Sequence, residues 1–239
     1  MKAVIIAAGY GSRLWNETNQ IPKTLLPFNE GTILSAIMMQ MKMAGISDLA
    51  MVVGFNQHYI REYVSCTKLP FKVFFIENTE WDRGNGLSVY KAKDWVKDEP
   101  FILSMSDHLV CAKAIKAVME CMQNTNLLMV DPFIESNFDL DDATKVLVNE
   151  EFISDIGKEL ERYNALDCGI FRLNHSFFPA MESALCKGLE SISAAMKELI
   201  LKHKLMAVTL AERGQWLDVD TPEAYSYAKE RFTGLAITE

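Results

Sequence analysis

The sequence has little proline, scattered cysteines and no long apolar run. Only 7 of its 239 residues are proline and 23% are charged, beside 49% hydrophobic residues, which argues against a disordered chain. The five cysteines are odd in number and never spaced as C-x-x-C. Neither a disulfide framework nor a zinc site is indicated, and we expect a reducing compartment. No apolar run approaches the ~20 residues that a membrane span needs. We therefore expect a cytoplasmic protein with no membrane span.

The sequence also lacks an excess of basic residues. It has 24 Lys and Arg against 32 Asp and Glu, giving a formal net charge of -8, and it has no basic cluster that could follow a phosphate backbone. We therefore expect no nucleic-acid partner, although small anions can still bind at local positive sites. The length suits one compact domain.

Short apolar runs alternate with helical spacing in the first half of the chain. The runs 3–7, 49–54, 71–76 and 101–105 predict strands, and the segments 32–44 and 56–64 predict helices. This alternation is typical of an α/β protein with a parallel sheet. Because ligand loops gather at the carboxyl ends of such strands, functional residues should follow residues 7, 54, 76 and 105.

The second half is less regular. A strand and turn are predicted through 144–158, and helices around 175–187 and across 191–203. Near the carboxyl end, Thr221 is a candidate N-cap, with Pro222 at the first helical position and Glu223 in the first turn. These residues predict a terminal helix.

The opening segment MKAVIIAAGYGSRL places a glycine-bracketed turn after the first strand. Gly9 and Gly11 permit positive φ angles and expose N–H groups, which suits a loop that wraps phosphates. The run lacks the third glycine of a dinucleotide fingerprint and the GK[ST] ending of a Walker loop. Arg13 can fork onto two phosphate oxygens and Lys23 can reach a third, so together they suit a triphosphate. The alternative is a tight turn without a binding function.

A second candidate loop, ENTEWDRGNGLSVYKAK, follows the third apolar run. Asn78 and Asn85 carry amides that can pair with the edge of a pyrimidine, and Gly84 and Gly86 allow the backbone to approach a flat base. An Asn/Gly-rich surface turn is the alternative.

Carboxylates in two further stretches suggest a magnesium site. The run FILSMSDHLV delivers Asp107 at the carboxyl end of a buried strand, and magnesium prefers one or two carboxylates plus substrate phosphates. In WLDVDTPE, Asp218 and Asp220 alternate with Val219 and so face one side of an extended segment. Asp220 could instead only begin the turn before the helix that starts after Thr221.

Two other polar features favour structural roles. His108 adjoins Asp107, but no other histidine has metal-like spacing to it. The acidic run DLDDATK is a solvated face by default, although Asp141 and Asp142 could also repel misplaced phosphates.

The stretch IIAAGYGSRLWNETNQIPKTLLPF resembles the signature of sugar-phosphate nucleotidyltransferases, A-A-G-x-G-[ST]-R-L followed by P-K-x-L-[LV]-P. The resemblance implies a Rossmann-like α/β fold with a mixed, mostly parallel sheet flanked by helices, and an Mg²⁺ cofactor. It also implies one domain over 1–239, with a nucleotide-binding half to about 130, an acceptor-binding half over about 131–221 and a terminal helix over 222–233. The implied catalytic residues are Arg13 and Lys23, and the implied metal ligands are Asp107, Asp218 and Asp220. The implied nucleotide-binding residues are Ala8, Gly9, Gly11, Ser12, Asn78, Gly84, Asn85 and Ser88.

Three further segments, GNGLSVYKAK, MSDHLV and ATKV…ISDIGKELERYNALDCGIFRL, are similar to the inositol-1-phosphate cytidylyltransferases. Phosphocholine cytidylyltransferases partly share the last segment. The resemblance implies transfer of CMP from CTP to a phosphorylated alcohol, with inositol 1-phosphate as the first candidate. A separate membrane alcohol phosphotransferase and a second copy of the chain are candidate partners. Candidate acceptor-binding residues are Lys158, Lys145, Tyr163, Asn164 and Asp167. Relatives often have threonine at the position of Cys168.

Several alternatives stay open at this point. A sugar-1-phosphate nucleotidyltransferase or a phosphocholine cytidylyltransferase would carry the same amino-terminal motifs. A nicotinamide-dependent oxidoreductase would need an acidic residue at the end of the second strand, where this sequence has VVGFNQ. A nucleotide- or sugar-binding sensor on the same fold would be expected to lack Lys23 or Asp107, and both are present.

Overall fold

Strands and helices alternate along the chain as the apolar runs predict. The structure is a computed structural model and describes residues 1–11, 14, 21–136, 140–232 and 235. The strands are β1 (Lys2–Ala7), β2 (Pro27–Phe28), β3 (Gly31–Thr32), β4 (Asp48–Val53), β5 (Val73–Glu77), β6 (Phe101–Met105), β7 (His108–Val110), β8 (Asn126–Asp131), β9 (Lys145–Asn149), β10 (Phe152–Gly157), β11 (Ala165–Leu173), β12 (Leu205–Thr209) and β13 (Trp216–Asp218). The helices are α1 (Ile33–Ala44), α2 (Gln57–Cys66), α3 (Asn85–Lys91), α4 (Lys93–Val96), α5 (Ala112–Glu120), α6 (Phe177–Cys186), α7 (Ile192–Ile200) and α8 (Pro222–Arg231). Short 3₁₀ turns cover Lys23–Leu25 and Ile134–Ser136.

Nine strands form one mixed sheet in the order β5-β4-β1-β6-β11-β8-β12-β10-β9. The four strands predicted in the first half lie together and pair in parallel. Seven strands share one direction, and only β11 and β10 oppose it. The predicted mixed, mostly parallel sheet is therefore confirmed.

The central strands of the sheet are buried on both faces, whereas the edge strands β5 and β9 are partly exposed. In β1, alternate residues belong to different hydrophobic clusters, so that Ile5 packs in one cluster with α1 and Val4 in the other with α6 and α7. A strand that is covered on both faces has apolar side chains on both, so polar and apolar residues do not alternate along it. This explains the continuous apolar runs in the sequence. Only the strand ends remain available for polar ligand loops.

Helix boundaries follow the capping residues. Thr32 Oγ1 accepts a hydrogen bond from Ser35 N at 3.2 Å, and α1 ends at Ala44, followed by the C-cap Gly45 with φ +97°. At the carboxyl end, Thr221 Oγ1 accepts one from Ala224 N at 3.1 Å, and Pro222 occupies the first position of α8. The predicted terminal helix is confirmed, and it ends at Arg231 rather than at 233.

The second half contains the predicted elements and two further strands of the large sheet that were not predicted. The stretch 144–158 is the β9–β10 hairpin, and the two predicted helices are α6 and α7. One additional strand is β12, which lies between β8 and β10. The other is β11, which lies at the centre of the sheet between β6 and β8. Its pairing with β8 shifts register between Asp167 and Phe171.

A small two-stranded ribbon brings distant acidic residues together. β7 pairs antiparallel with β13, placing His108 opposite Asp218, and Val219 N donates to Asp107 O at 3.0 Å. Trp216 Nε1 donates to the buried Asp131 Oδ2 at 2.6 Å and so ties this ribbon to β8. The carboxyl-terminal acids therefore lie at the end of β6.

Candidate active site

Two cavities open at the carboxyl ends of the parallel strands and share one wall. The first cavity, of about 310 Å³, is lined by residues that follow β1, β5 and β6, including Ala8, Gly9, Gly11, Trp81, Arg83, Ser88 and Ser106. The second cavity, of about 240 Å³, is lined by residues of the second half, including His108, Asp142, Thr144, Lys158, Asp167, Gly169, Ile192, Ser193 and Asp218. Residues common to both are Lys23, Asn85, Met105, Asp107 and Asp220. The loops that follow β1, β5 and β6 therefore line the first cavity, where ligand loops are expected, and their binding of a ligand stays a prediction.

The ammonium group of Lys23 lies at the junction of the two cavities. Its Nζ is 2.5 Å from Asp107 Oδ2 and also contacts Asp220 Oδ1. All three side chains are mostly buried, with 13 to 18% of their surface exposed. Lys23 begins the 3₁₀ turn Lys23–Leu25, Asp107 follows β6 and Asp220 follows β13. Segments far apart in the sequence therefore meet at one ion-paired group.

Burial and charge act in opposite directions on these groups. Burial lowers the pKa of Lys23, but the negative charges of Asp107, Asp220 and Asp218 outweigh it and raise the pKa above its ordinary value. Burial raises the pKa of Asp107, but the charges of Lys23 and His108 outweigh it and hold the pKa at about 2. Burial and the charge of Asp107 raise the pKa of Asp220. Lys23 and Asp107 are therefore charged at neutral pH.

His108 lies between two of the acids. Its Nε2 is 3.7 Å from Asp107 Oδ1 and 3.5 Å from Asp218 Oδ2, and its Nδ1 lies 2.9 Å from Cys168 O. Because a carbonyl can only accept, Nδ1 carries a proton and donates it. Burial lowers the pKa of His108, but the charge and hydrogen bond of Asp218 outweigh it, and the pKa is raised to about 10. This position in the acidic cluster was not predicted from the sequence.

Gly169 makes room for the His108 ring. Gly169 has φ +72°, and a Cβ there would lie 2.2 Å from His108 Nδ1. Its N–H donates to Asp167 Oδ1 at 2.7 Å. Burial raises the pKa of Asp167 to about 6, against the lowering effect of that hydrogen bond and of His108. The irregularity of β11 at Asp167–Gly169 thus places Asp167, Gly169 and the His108 ring in the wall of the second cavity.

The donor set of the cluster suits a divalent cation. Ligand atoms of Asp107, His108 and Asp218 lie within 4.8 Å of one another. Asp218 Oδ1 is buried and has no hydrogen-bond partner among the residues that the structure describes. A buried carboxylate oxygen without a partner is costly, and Mg²⁺ takes such oxygens as ligands. Asp218 and Asp220 both face the second cavity while Val219 is buried, as their alternation predicts. Their role as metal ligands stays a prediction.

Five predicted nucleotide-binding residues line the first cavity: Ala8, Gly9, Gly11, Asn85 and Ser88. Gly11 has φ +63°, and a Cβ there would lie 3.4 Å from the Lys23 side chain. Ser12 and the predicted catalytic Arg13 lie outside the described residues. The structure thus places the glycine turn beside Lys23.

Asn78 and Gly84 lie elsewhere than predicted, because the fold itself uses their polar groups and their space. Asn78 is buried, with Nδ2 donating to Ser88 Oγ and Oδ1 accepting from Glu80 N, both at 3.0 Å. A Cβ on Gly84 would lie 2.3 Å from Glu190 O. Neither residue is among the described residues that line the first cavity.

The predicted acceptor residues divide into two groups. Lys158 and Asp167 line the second cavity, and Lys158 Nζ is 2.5 Å from Asp142 Oδ1. Asp142 belongs to the acidic run DLDDATK, for which a solvated face is predicted. Its side chain is 39% exposed, and it also lines the second cavity.

Lys145, Tyr163 and Asn164 are not among the described lining residues of that cavity. Lys145 Nζ donates to Lys158 O at 2.6 Å and lies 5.8 Å from the centre of the Tyr163 ring. The Asn164 amide makes two 2.8 Å hydrogen bonds with the main chain of Val148. These contacts hold the β9–β10 hairpin, so the three residues support the wall rather than face the cavity.

Sequence reasoning missed Trp81 and Arg83 in the first cavity and Ile192 and Ser193 in the second. Trp81 and Arg83 lie in the stretch ENTEWDRGNGLSVYKAK, in which the asparagines and glycines are the predicted ligand residues. Trp81 also packs against Phe55, with ring centroids 4.9 Å apart. The position of a tryptophan and an arginine just before the Gly-Asn-Gly run could have indicated that both residues line the cavity.

Comparison with known proteins agrees with this arrangement. Residues 3–138, more than half of the chain, match the model of the MobA-like NTP transferase domain. The chain belongs to this family. That membership excludes the nicotinamide-dependent oxidoreductase alternative.

Three known proteins resemble the chain over 74 to 99% of its length. The "Bifunctional IPC transferase and DIPP synthase" of Aquifex aeolicus is 34% identical over 98% of this chain and 52% of that protein. The "CTP:phosphoglutamine cytidylyltransferase" of Campylobacter jejuni is 24% identical over 74% of each chain. The solved structure of the inositol-1-phosphate CTP transferase from T. maritima has a TM-score of 0.82 and 26% identity, covering 99% of this chain and 98% of that one.

The chain spans about half the length of the IPC transferase relatives that it matches. Among the described residues, no helix combines the length and the apolar character that crossing a membrane requires.

Replacing Gly169 with alanine should destabilise the protein more than the same change at Gly188. Both residues have positive φ, so both variants lose about 1 kcal/mol to backbone strain. Only the Cβ at 169 meets a neighbour, His108, and overpacking adds about 1 to 3 kcal/mol. Urea unfolding of the two variants measures the difference. Equal losses would contradict the proposed packing of His108.

Replacing Asp167 with asparagine should change how stability depends on pH. The pKa of an unfolded aspartate is about 3.9, and that of folded Asp167 is raised to about 6. The stability contribution of Asp167 is therefore complete below pH ~4 and lost as pH rises through 6. Relative to wild type, Asp167→Asn should gain about 1 to 2 kcal/mol in unfolding free energy between pH 5 and pH 8.

Urea unfolding in EDTA at several pH values tests this expectation. The control is Asp155→Asn, which removes a more exposed carboxylate on β10. A difference between Asp167→Asn and wild type that does not vary with pH would show that Asp167 is not a strained buried acid.

Proposed function

We propose that this protein transfers CMP from CTP to a phosphorylated small alcohol, releasing pyrophosphate and forming a CDP-alcohol. Inositol 1-phosphate is the first candidate acceptor. The observation that carries the proposal is the meeting of two cavities at Lys23, Asp107 and Asp220. A two-substrate transfer needs adjacent pockets whose contents touch at a charged junction, and a protein that only binds a nucleotide does not.

The relatives support the choice of donor and acceptor. CTP is named for both the T. maritima and the C. jejuni proteins, and inositol 1-phosphate for the former. The A. aeolicus relative is named for an IPC transferase activity together with a second activity. A separate membrane alcohol phosphotransferase, a homodimer and a cytoplasmic location stay predictions for this chain.

The chain's own residues can perform this transfer without a general base. A phosphomonoester loses its second proton near pH 6, so the acceptor is already an anionic nucleophile at neutral pH. With CTP in the first cavity and the acceptor in the second, an acceptor phosphate oxygen attacks the α-phosphorus in line and pyrophosphate leaves. Lys23 lies where the two sets of phosphates meet, and its raised pKa keeps it positively charged there.

The acids at the junction would hold Mg²⁺. Asp107 and Asp218 offer carboxylate oxygens within one cluster, and Asp220 adds a third carboxylate beside Lys23. Mg²⁺ held by these acids would supply positive charge that neutralises the phosphates during the transfer. The acids alone would repel a triphosphate. Binding of the triphosphate therefore depends on the positive charges of Lys23 and of a cation held by the acids.

Lys158 is the candidate partner of the acceptor's phosphate. It lies on the wall of the second cavity, where its ammonium contacts Asp142. Asp167 lines the same cavity and offers a carboxylate to a polyol hydroxyl. A cavity whose polar groups pair with the substrate's hydroxyls disfavours an analogue that lacks one of those hydroxyls, because the cavity's own group is then unpaired.

A substrate panel tests the proposed function. The protein, with Mg²⁺, is incubated with each of the four NTPs and with inositol 1-phosphate, phosphocholine or glucose 1-phosphate, and pyrophosphate is measured. We expect the fastest release with CTP and inositol 1-phosphate. A preference for UTP and glucose 1-phosphate would favour a sugar-1-phosphate nucleotidyltransferase, and one for phosphocholine a phosphocholine cytidylyltransferase. No release with any pair would favour a sensor.

Asp107→Asn should abolish turnover while leaving the fold intact. The change keeps the shape of the side chain but removes the charge beside Lys23 and His108, and we expect pyrophosphate release to fall at least ~10³-fold. The control is Asp48→Asn at the amino end of β4, opposite the cavities. Circular dichroism checks the fold. A folded Asp107→Asn protein with wild-type turnover would refute the role of Asp107.

A further inference from the structure

The segments 83–86 and 190–192 are joined by a set of contacts that we call the clasp. Arg83 Nε donates to Glu190 Oε1 at 3.0 Å, and the Arg83 guanidinium contacts the same oxygen through Nη2. Gly84 N donates to Glu190 Oε2 at 3.2 Å, and Gly86 N to Glu190 O at 3.0 Å. Ile192 N donates to Asn85 Oδ1 at 2.9 Å. Glu190 thus takes part in most of the contacts between these segments.

The glycines of the clasp are explained by the approach of Glu190. A Cβ on Gly84 would lie 2.3 Å from Glu190 O, and a Cβ on Gly86 would lie 2.7 Å from the same atom. Any side chain at either position would force the two segments apart. The Gly-Asn-Gly run is therefore shaped by Glu190, whereas the sequence suggested that it was shaped by a base.

The clasp connects the walls of the two cavities. Arg83 and Asn85 line the first cavity, and Ile192 and Ser193 line the second, with Asn85 reaching both. A ligand that fixes the segment 83–86 from the first cavity therefore also restricts the segment 190–193. When the first ligand has already ordered the segment 190–193, a second ligand in the second cavity binds at a smaller entropic cost.

Arg83 also depends on carboxylates for its orientation. Its guanidinium contacts both Glu80 and Glu190, and Glu80 is held in turn by Lys91 at 2.8 Å. Hydrogen bonds from Arg83 and Gly84 lower the pKa of Glu190, so its carboxylate is charged at neutral pH. Loss of this carboxylate would leave Arg83 with Glu80 alone. Of the clasp contacts, only those of Gly86 N with Glu190 O and of Ile192 N with Asn85 Oδ1 would then join the two segments.

We propose that Glu190 is a positioning residue that couples the two cavities, so that nucleotide in the first raises the affinity for acceptor in the second. The proposal rests on the proposed function, because it assigns nucleotide and acceptor to those cavities. By thermodynamic linkage, acceptor must raise the affinity for nucleotide by the same factor.

Calorimetry with an unreactive nucleotide tests the coupling. The probe is α,β-methylene CTP, whose P–C bond prevents release of pyrophosphate, and Mg²⁺ is present throughout. The dissociation constant of inositol 1-phosphate, or of the best acceptor in the panel, is measured with and without this probe. For wild type we expect the ratio of the two constants to be at least about fivefold. Glu190→Ala should lower this ratio at least threefold, and Glu190→Gln should retain part of it.

The matched control is Glu182→Ala. Glu182 accepts from Tyr90 Oη at 2.7 Å and from Lys93 Nζ at 2.8 Å, so it also forms an ion pair between helices of the same layer. Glu182 is not among the described residues that line either cavity. The Glu182→Ala variant should leave the affinity ratio unchanged.

Glu190→Ala keeps the main-chain contact with Gly86, and an ion pair near the surface adds little stability. The thermal midpoint of the Glu190→Ala variant should therefore stay within about 4 °C of wild type.

The outcomes separate the coupling from the function. A folded Glu190→Ala protein that keeps the wild-type ratio overturns the coupling, and so does a wild-type ratio of one. A fall in the ratio for Glu182→Ala equal to that for Glu190→Ala also overturns it, because the effect would then be general loosening. If wild type releases no pyrophosphate in the panel, the proposed function fails first and the coupling falls with it.

Discussion

The ammonium group of Lys23 must be neutralised where it lies, and this requirement organises the site. An unpaired buried charge costs several kcal/mol, so Lys23 is tolerated only because Asp107 and Asp220 come to it. The charge of Asp107 raises the pKa of Asp220 and the charge of Lys23 lowers it, so the lysine offsets the repulsion between the two acids. The amino-terminal turn, the end of β6 and the residues after β13 are thereby held together, although the sequence separates them widely.

The topology makes this convergence possible. Parallel strands deliver their carboxyl ends to one edge, where the first cavity forms, and the β7–β13 ribbon returns the carboxyl-terminal acids to that edge. β11 then crosses the centre of the sheet in the opposite direction, and its turn at Gly169 admits the His108 ring. The second cavity consequently lies against two of the acids that line the first, Asp107 and Asp220, and a cation held by these acids would be close to ligands in both cavities.

The sequence predicts local features well and long-range contacts poorly. Buried strands are visible because both faces of the sheet are covered, and the alternation of Asp218, Val219 and Asp220 correctly gives the side that each faces. Glycines at 84 and 86 indicate a close backbone approach, but nothing local says that Glu190 rather than a base makes it. The amide of Asn78 is likewise used inside the fold. The pairing of Lys23 with two acids depends on strand order, which no short motif encodes.

The most direct measurement of the central claim is a crystal structure of the protein with α,β-methylene CTP, Mg²⁺ and inositol 1-phosphate. The account predicts triphosphate in the first cavity, acceptor in the second, and an acceptor phosphate oxygen about 3 to 3.5 Å from the α-phosphorus, opposite the pyrophosphate group. Lys23 should contact phosphate oxygens at the junction. Nucleotide and acceptor bound at sites that do not meet at Lys23 and Asp107 would contradict it.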